Sequence, residues 1–175
     1  RHKFLICADL SSSYFQIWVH QRLWRFLGVM TPFRGIKVMT RLGQGLLNSD
    51  VELDQAMAQV LGDEMTEGFC CVARDDLFIG GETEDECISN WEKVLVKLNA
   101  NNLKLSPGKV RVMLQDTEVF GHRMKDGKMR PSDHIVTSLG KTSMEELKTV
   151  RQVNSWKGLY KTLIRHLPHL ASQMA

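Results

Sequence analysis

Short apolar runs separated by turn-forming residues predict the strands of this chain. The run at residues 4–10 is typical of a buried strand, and residues 25–32 and 35–41 predict two strands joined by a tight turn. The pair Asp126-Gly127 is a tight-hairpin signal. Further strand-like runs cover residues 69–73, 77–79, 110–114, 118–122 and 127–130.

Three helices are predicted by capping sequences followed by apolar residues at helical spacing. The first begins at Ser49 and is stopped by Gly62, and the second begins at Thr83 and ends near Asn101. The third begins at Ser143. Strands and helices in this order indicate an α+β fold, and helices that cover one face of a sheet fit a ferredoxin-like arrangement.

The composition is that of an ordinary globular protein. The chain has 175 residues, of which 43% are hydrophobic and 25% charged, enough for one domain with a core or one domain plus a small appendage. No apolar stretch is long enough to cross a bilayer, so we expect no membrane partner. The four cysteines show no zinc-like pairing with histidine. Buried free thiols are therefore expected, and with them a reducing intracellular location, cytoplasmic or nuclear.

Charge is unevenly distributed along the chain. The net charge is +3, and residues 141–175 carry six basic and two acidic side chains. A basic carboxyl-terminal region beside a slightly acidic remainder suits a nucleic-acid backbone as partner. An ordinary solvated helix face accounts for the same charges equally well.

Two acidic segments are the candidates for chemistry. Asp9 ends the first apolar run, and Arg74 precedes Asp75 and Asp76 in the turn of an apolar hairpin. Burying adjacent carboxylates is costly unless protons, donors or a metal compensate them. Two metal ions about 3.5–4 Å apart assist phosphoryl transfer, and Mg²⁺ takes oxygen ligands. The three aspartates therefore predict a divalent-cation site, although Asp-Asp turns are also common on protein surfaces.

The segments around these acids resemble the reverse transcriptases of long-terminal-repeat retrotransposons, of the gypsy-like or BEL-like kind. The resemblance lies, in chain order, in residues 8–17, 42–49, 73–79, 103–109, 119–122 and 156–160. It implies a polymerase palm, a ferredoxin-like antiparallel sheet with helices on one face. Residues 1–131 would form this palm with part of the fingers, and residues 132–175 the start of a helical thumb or connection.

The activity implied is RNA-directed DNA polymerisation by two-metal nucleotidyl transfer to a primer 3′-hydroxyl. Asp9, Asp75 and Asp76 would be the catalytic and metal-holding carboxylates. The Leu10 carbonyl would be a further metal ligand. The implied ion is Mg²⁺, with Mn²⁺ as a possible substitute.

Four residues match positions that contact the incoming deoxynucleoside triphosphate in this family. Tyr14 matches the steric gate, whose ring excludes a ribose 2′-hydroxyl, and its alternative is a packing aromatic. Gln44 would lie near the nucleotide, with Gly45 allowing close backbone approach, and the alternative for Gln44 is an ordinary loop amide. Arg25 would meet the triphosphate, and its alternative is a solvated surface arginine.

The primer end of a template-primer duplex of RNA or DNA would lie near Gly121 and His122. His122 could equally be a half-buried hairpin residue. The chain starts almost on the first catalytic strand, so we expect the upstream fingers and the rest of a Pol polyprotein to be missing from it.

Three positions depart from the family pattern. Ala73 replaces a usual aromatic residue, and Gly43 replaces a common proline, which adds unfolded-state entropy and looseness. Arg74 could form an ion pair that competes with metal, or could reach the primer phosphate. These departures leave open a non-catalytic palm remnant that binds nucleic acid, or an interaction domain whose acids pair with arginines.

Overall fold

Four antiparallel strands form the main sheet, and from one edge to the other they are Cys70–Ala73, Asp76–Gly81, Phe4–Asp9 and Arg111–Leu114. The computed structural model describes residues 2–119, 121–141 and 147–164. The strands are β1 (Phe4–Asp9), β4 (Cys70–Ala73), β5 (Asp76–Gly81) and β6 (Arg111–Leu114). The strand predicted at residues 4–10 and the hairpin predicted at residues 69–79 are confirmed.

Two long helices pack against this sheet. They are α2 (Ser49–Glu67) and α3 (Glu84–Ala100), and a short helix α1 (Ser13–Gln16) follows β1. Alternate positions of β1 and β5 meet apolar residues of both long helices in one buried cluster. Its members include Ile6, Ala8, Leu77 and Ile79 of the sheet, Leu53, Met57 and Leu61 of α2, and Cys87, Val94 and Leu98 of α3. Because side chains alternate across a strand, this core lies on one face of the sheet.

Helix α2 differs from its prediction at both ends. Asn48 is the residue before its first turn, and the Ser49 hydroxyl donates to the Gly43 carbonyl at 2.8 Å instead of capping the helix. Gly62 does not stop the helix, which bends at Leu61 (φ −117°) and continues to Glu67. Gly68, with φ +85°, ends it.

Helix α3 agrees with its predicted capping. The Thr83 side chain accepts a hydrogen bond from the Glu86 N–H at 3.2 Å, and the Glu86 carboxylate accepts one from the Glu82 N–H at 2.7 Å. The helix ends at Ala100, beside the expected Asn101.

A separate hairpin joins β2 (Gly28–Thr31) to β3 (Gly35–Val38). The strand predicted at residues 25–32 is wrong in its first part, because Gln21–Phe26 is a 3₁₀-helix. Local bonds favour this turn: the Trp24 indole donates to the Val19 carbonyl at 3.0 Å, and the Leu27 N–H donates to the Trp24 carbonyl.

The chain divides into two compact units, His2–Leu114 and a second that begins at Gln115. The second contains β7 (Asp116–Val119), β8 (His122–Lys125), β9 (Lys128–Pro131), α4 (Asp133–Lys141) and α5 (Val150–Ile164). The hairpin at Asp126-Gly127 is confirmed, since both residues have positive φ. The single strand predicted at residues 118–122 is wrong, because Gly121 (φ +76°) lies between two strands. The capping sequence at Ser143 lies outside the described residues.

All four cysteines are free thiols. Cys7, Cys70 and Cys87 are buried, as expected, and burial raises the pKa of the Cys70 thiol to about 12. Cys71 is exposed, which corrects the expectation for that residue, because successive side chains of β4 point to opposite faces. No helix in the described part of the chain is both long enough and apolar enough to span a membrane.

Candidate active site

The three predicted aspartates meet at one end of the main sheet. Asp9 is the last residue of β1 and Asp76 the first of β5, and the two are direct partners across the antiparallel pair. The Leu10 N–H donates to the Asp75 carbonyl at 2.8 Å, and this bond holds the backbone of Asp75 beside the end of β1. The backbone therefore brings together carboxylates that are far apart in the sequence.

The turn between β4 and β5 consists of two residues. Ala73 pairs with Asp76, so Arg74 and Asp75 make the turn, and Arg74 adopts φ +60°. The Arg74 guanidinium lies 3.7 Å from the Asp50 carboxylate and forms an ion pair with it. The arginine beside the paired aspartates thus has its ion-pair partner at the start of α2.

Electrostatic repulsion among the acids appears in the pKa of Asp76. Burial raises this pKa first, and the neighbouring Asp75 and Asp9 charges raise it further. Lys109 and Arg111 act in the opposite direction. A carboxyl group that resists ionisation beside two others marks a place where a cation would be stabilised.

A lysine neutralises Asp9. The Lys109 ammonium lies 2.9 Å from both Asp9 carboxylate oxygens, and the Ser106 hydroxyl donates to one of them at 3.0 Å. The Asp9 side chain is 14% exposed, and its carbonyl accepts a bond from the Ser106 N–H at 2.8 Å. The hydrogen bond to Asp9 raises the pKa of Lys109.

The type of ligand available at this site, carboxylate oxygen, suits a hard divalent cation. The aspartates at this end of the sheet offer carboxylate oxygens, which Mg²⁺ and Mn²⁺ accept as ligands. Across residues 2–119, 121–141 and 147–164, however, no three His, Cys, Asp or Glu side chains are arranged to hold a metal ion. Asp9 instead holds the Lys109 ammonium, so metal binding at Asp9 requires this ion pair to open.

Tyr14 lies in α1, five residues after Asp9. Its ring packs against the edge of the core cluster, and its hydroxyl donates to the Asp50 carboxylate at 2.5 Å. This hydrogen bond is the main cause of a raised pKa for the Tyr14 phenol. The ring thus packs against the core while its hydroxyl has a specific polar partner, and the steric-gate role stays a prediction.

The loop that carries Gln44 and Gly45 is anchored at two points. The Leu42 N–H donates to the Ile17 carbonyl at 2.9 Å, which ties the loop to the end of α1. The Ser49 hydroxyl holds the buried Gly43 carbonyl, so the looseness expected at Gly43 is opposed by this bond. Gly45 has φ +82° and open space where a Cβ would be, so another molecule can approach its backbone.

The remaining predicted contacts lie elsewhere in the chain. Arg25 lies in the 3₁₀-helix, with its guanidinium 4.7 Å from the centre of the Phe26 ring. Gly121 and His122 lie in the second compact unit, at the turn before β8 and at its first residue. Their nucleotide and primer roles stay predictions.

Sequence reasoning assigned no role to three residues of this site. Lys109 and Ser106 lie within residues 103–109, one of the segments that resemble the family, and Asp50 lies within the capping sequence that begins at Ser49. Lys109 is 100 residues from Asp9 in sequence, and no spacing rule links such a pair. The available signal was a basic residue directly after the Pro107-Gly108 turn.

Comparison with known sequences gives one family. The family described as "Reverse transcriptase (RNA-dependent DNA polymerase)" matches residues 1–154. The enzymatic polyprotein of Cauliflower mosaic virus (strain NY8153) is 24% identical over 103 residues, 59% of this chain and 15% of the relative. The Retrovirus-related Pol polyprotein from transposon 412 of Drosophila melanogaster is 28% identical over 134 residues, 76% of this chain and 11% of the relative. The chain thus spans a small fraction of these relatives.

Solved structures share the fold. The foamy viral protease-reverse transcriptase in complex with an RNA/DNA hybrid matches with a TM-score of 0.71 at 21% identity, over 93% of this chain and 21% of the other. The same viral protein in complex with dsDNA matches with a TM-score of 0.73 at 20% identity, over 100% of this chain and 38% of the other. The predicted α+β palm is confirmed by these likenesses.

Proposed function

Because this chain belongs to the reverse transcriptase family, we propose that it is the polymerase core of a Pol polyprotein. It adds deoxynucleotides to a primer 3′-hydroxyl under the direction of an RNA template. The observation that carries this proposal is the direct pairing of Asp9 with Asp76 across two strands, beside Asp75. Three carboxylates at the end of one sheet are the donor set that nucleotidyl transfer needs.

The acids have the metal-holding role in this proposal. Asp9, Asp75 and Asp76 would hold Mg²⁺ or Mn²⁺, with the Leu10 carbonyl as a further ligand. Ions held there would lower the pKa of the primer hydroxyl and offset charge on the phosphates. The raised pKa of Asp76, caused first by burial and then by the Asp75 and Asp9 charges, supports this role, because a bound cation would offset both costs of ionising the carboxyl group.

The nucleotide site is proposed at the end of α1 and the loop anchored to it. The ring of Tyr14 excludes a 2′-hydroxyl, Gln44 and the open backbone of Gly45 contact the deoxynucleoside triphosphate, and Arg25 meets its phosphates. The anchoring of Leu42 to Ile17 supports this placement, because it ties the Gln44 loop to α1.

The partner is proposed to be a template-primer duplex, with Gly121 and His122 near the primer end. The structural likeness to foamy viral proteins in complex with RNA/DNA hybrid and dsDNA supports a duplex partner. We further propose a long-terminal-repeat element of the gypsy-like or BEL-like kind as the source, with residues 1–131 as palm and partial fingers and residues 132–175 as the start of the thumb or connection.

A primer-extension assay tests the proposed activity. The chain itself and a chimera preceded by the fingers segment of a family member are given an RNA template, a DNA primer and Mg²⁺. We expect extension by the chimera, loss of it in Asp75→Asn, and unchanged extension in Asp63→Asn, an exposed carboxylate of α2. Extension that survives Asp75→Asn would contradict the metal role, and a chimera that never extends the primer would contradict the polymerase activity.

A second candidate is a palm that binds nucleic acid without catalysis. It is favoured by the Lys109 ion pair, which occupies Asp9. This candidate expects duplex binding that weakens steeply with salt, and no Mg²⁺-dependent extension by the chimera. Extension by the chimera would exclude it.

A further inference from the structure

Asp50 joins three segments around the proposed nucleotide site. It is the second residue of α2, and each of its carboxylate oxygens has a different partner. Oδ1 accepts a hydrogen bond from the Tyr14 hydroxyl at 2.5 Å, and Oδ2 lies 3.7 Å from the Arg74 guanidinium. One side chain thus connects α1, the start of α2 and the turn that carries Asp75.

We propose that Asp50 is a positioning residue that holds the Tyr14 ring in one orientation and so sets how strongly the site rejects ribonucleotides. This inference rests on the proposed function, in which Tyr14 is the steric gate. A ring can exclude a 2′-hydroxyl only while it stays in the space that the hydroxyl would occupy. A ring free to rotate about its side-chain torsions leaves that space part of the time.

Two anchors fix the Tyr14 ring. The core cluster packs against the ring, and the Asp50 carboxylate holds the hydroxyl at the far end. A hydrogen bond to an ionised acceptor is shorter and stronger than one between neutral groups. Without the second anchor, only the packing would restrict the ring.

Two neighbouring features favour negative charge at Asp50. The first turn of a helix stabilises negative charge, and Asp50 is in the first turn of α2. Arg74 adds a positive charge on the other oxygen. Because the Asp50 side chain is 54% exposed, its contribution comes from orientation rather than from burial, and it can affect specificity with little effect on folding.

The hydrogen bond can be tested without any polymerase activity. The chain has two tyrosines, so a Tyr160→Phe background leaves Tyr14 as the only phenol that titrates. The ultraviolet absorbance of the phenolate then reports the pKa of Tyr14. We expect this pKa to lie above its ordinary value, and Asp50→Ala to lower it, because the carboxylate no longer holds the proton. Asp54→Ala, an exposed acid one turn further along α2, should leave the pKa unchanged.

Specificity is tested in the chimera that extends a primer. We expect Asp50→Ala to reduce the ratio of kcat/KM for deoxynucleotide over ribonucleotide by about tenfold, mainly through better use of the ribonucleotide. Asp50→Asn retains an acceptor for the hydroxyl and should restore most of the ratio. Tyr14→Phe should match Asp50→Ala, and the double variant should be no worse than either, since both changes remove one interaction.

The outcomes separate the two proposals. If Asp50→Ala leaves the Tyr14 titration unchanged, or leaves the ratio unchanged while Tyr14→Ala lowers it, the positioning role is overturned and the polymerase proposal stands. If Tyr14→Ala also leaves the ratio unchanged, Tyr14 is not the gate and the inference is overturned with it. If the chimera never extends a primer, the proposed function is overturned first, and the phenol titration then reports only a structural hydrogen bond.

Discussion

The Asp9 carboxylate depends on Lys109 for its compensating charge. Removing the ammonium while keeping the length of the side chain, as in Lys109→Met, leaves a mostly buried anion that keeps the hydrogen bond from the Ser106 hydroxyl. We therefore expect a lower free energy of unfolding in a chelating buffer, measured by urea denaturation. Mg²⁺ or Mn²⁺ should recover more stability in this variant than in the parent chain, because the cation no longer competes with an ammonium.

Lys128→Met is the matched control, since Lys128 is an exposed lysine of β9. It should change neither the stability nor the response to metal. A Lys109→Met variant as stable as the parent in chelator would contradict the account of Asp9.

Asp76 and Asp63 should respond to pH with opposite signs. Burial and the neighbouring aspartates raise the pKa of Asp76 on folding, so its contribution to stability is full below its unfolded pKa and is lost as pH rises through the folded pKa. The Lys97 ammonium lowers the pKa of Asp63, so its contribution is present above its unfolded pKa and is lost as pH falls. In metal-free urea titrations at pH 7, Asp76→Asn should be more stable than the parent and Asp63→Asn less stable.

The gain from Asp76→Asn should shrink as the pH falls through the raised folded pKa of Asp76, whereas the loss from Asp63→Asn should shrink only as the pH falls through the lowered folded pKa of Asp63. A gain from Asp76→Asn that persists unchanged in acid would mean that the gain does not arise from ionisation of this group.

The sequence reveals residues that share a local pattern and misses those that meet only in space. The acids at the strand ends could be recognised from the sequence, and so could Tyr14, five residues after Asp9, because each belongs to a contiguous segment. The partners of Asp9 and Tyr14 were not: Lys109 is 100 residues from Asp9, and Asp50 is 36 residues from Tyr14. Such pairs form only when the chain folds, and the local patterns of a single sequence do not reveal them.

Helix α2 provides a test at the scale of an element. Gly62 lies within the helix, next to the bend at Leu61, with open space where a Cβ would be. Gly62→Ala should therefore stabilise the chain by about 0.5–1 kcal/mol, because alanine loses less conformational freedom in a helix. Gly68 has φ +85°, so Gly68→Ala should cost about 1–2 kcal/mol.

Thermal unfolding of both variants, followed by circular dichroism, measures these changes. Destabilisation by Gly62→Ala together with tolerance at Gly68 would indicate that the helix ends where the sequence alone predicted.

Elements with a strong local signal were predictable, and those decided by tertiary partners were not. The Thr83 capping sequence and the Asp126-Gly127 hairpin specify their own geometry, and both are confirmed. The Ser49 sequence has the same appearance, yet its hydroxyl bonds to the Gly43 carbonyl. A loop carbonyl competed for this hydroxyl, and propensity rules cannot foresee that competition.

At the scale of the whole molecule, the family resemblance predicted the α+β palm, but it did not predict where the chain divides into compact units. In the sequence, the boundary between the compact units falls between Leu114 and Gln115. The predicted boundary after residue 131 rests on the division between palm and thumb in the family, and it stays a prediction. The two divisions describe different properties, because a family domain is defined by descent and a compact unit by its contacts.

The first unit should fold alone. The main sheet, the buried cluster and the Asp9–Lys109 pair all lie within His2–Leu114. A chain that ends at Leu114 should therefore show the circular dichroism of a folded α+β protein and unfold in one cooperative transition. Its nuclear magnetic resonance shifts for β1 and β5 should equal those of the parent. A chain that ends at Ala100 lacks β6 and Lys109, so an edge of the sheet and the charge partner of Asp9 are lost together. It should be largely unfolded, and adding Mg²⁺ should not restore it, because the missing strand cannot be replaced by a cation. If the chain ending at Leu114 were also unfolded, the second unit would have to supply stability to the sheet that carries the three aspartates.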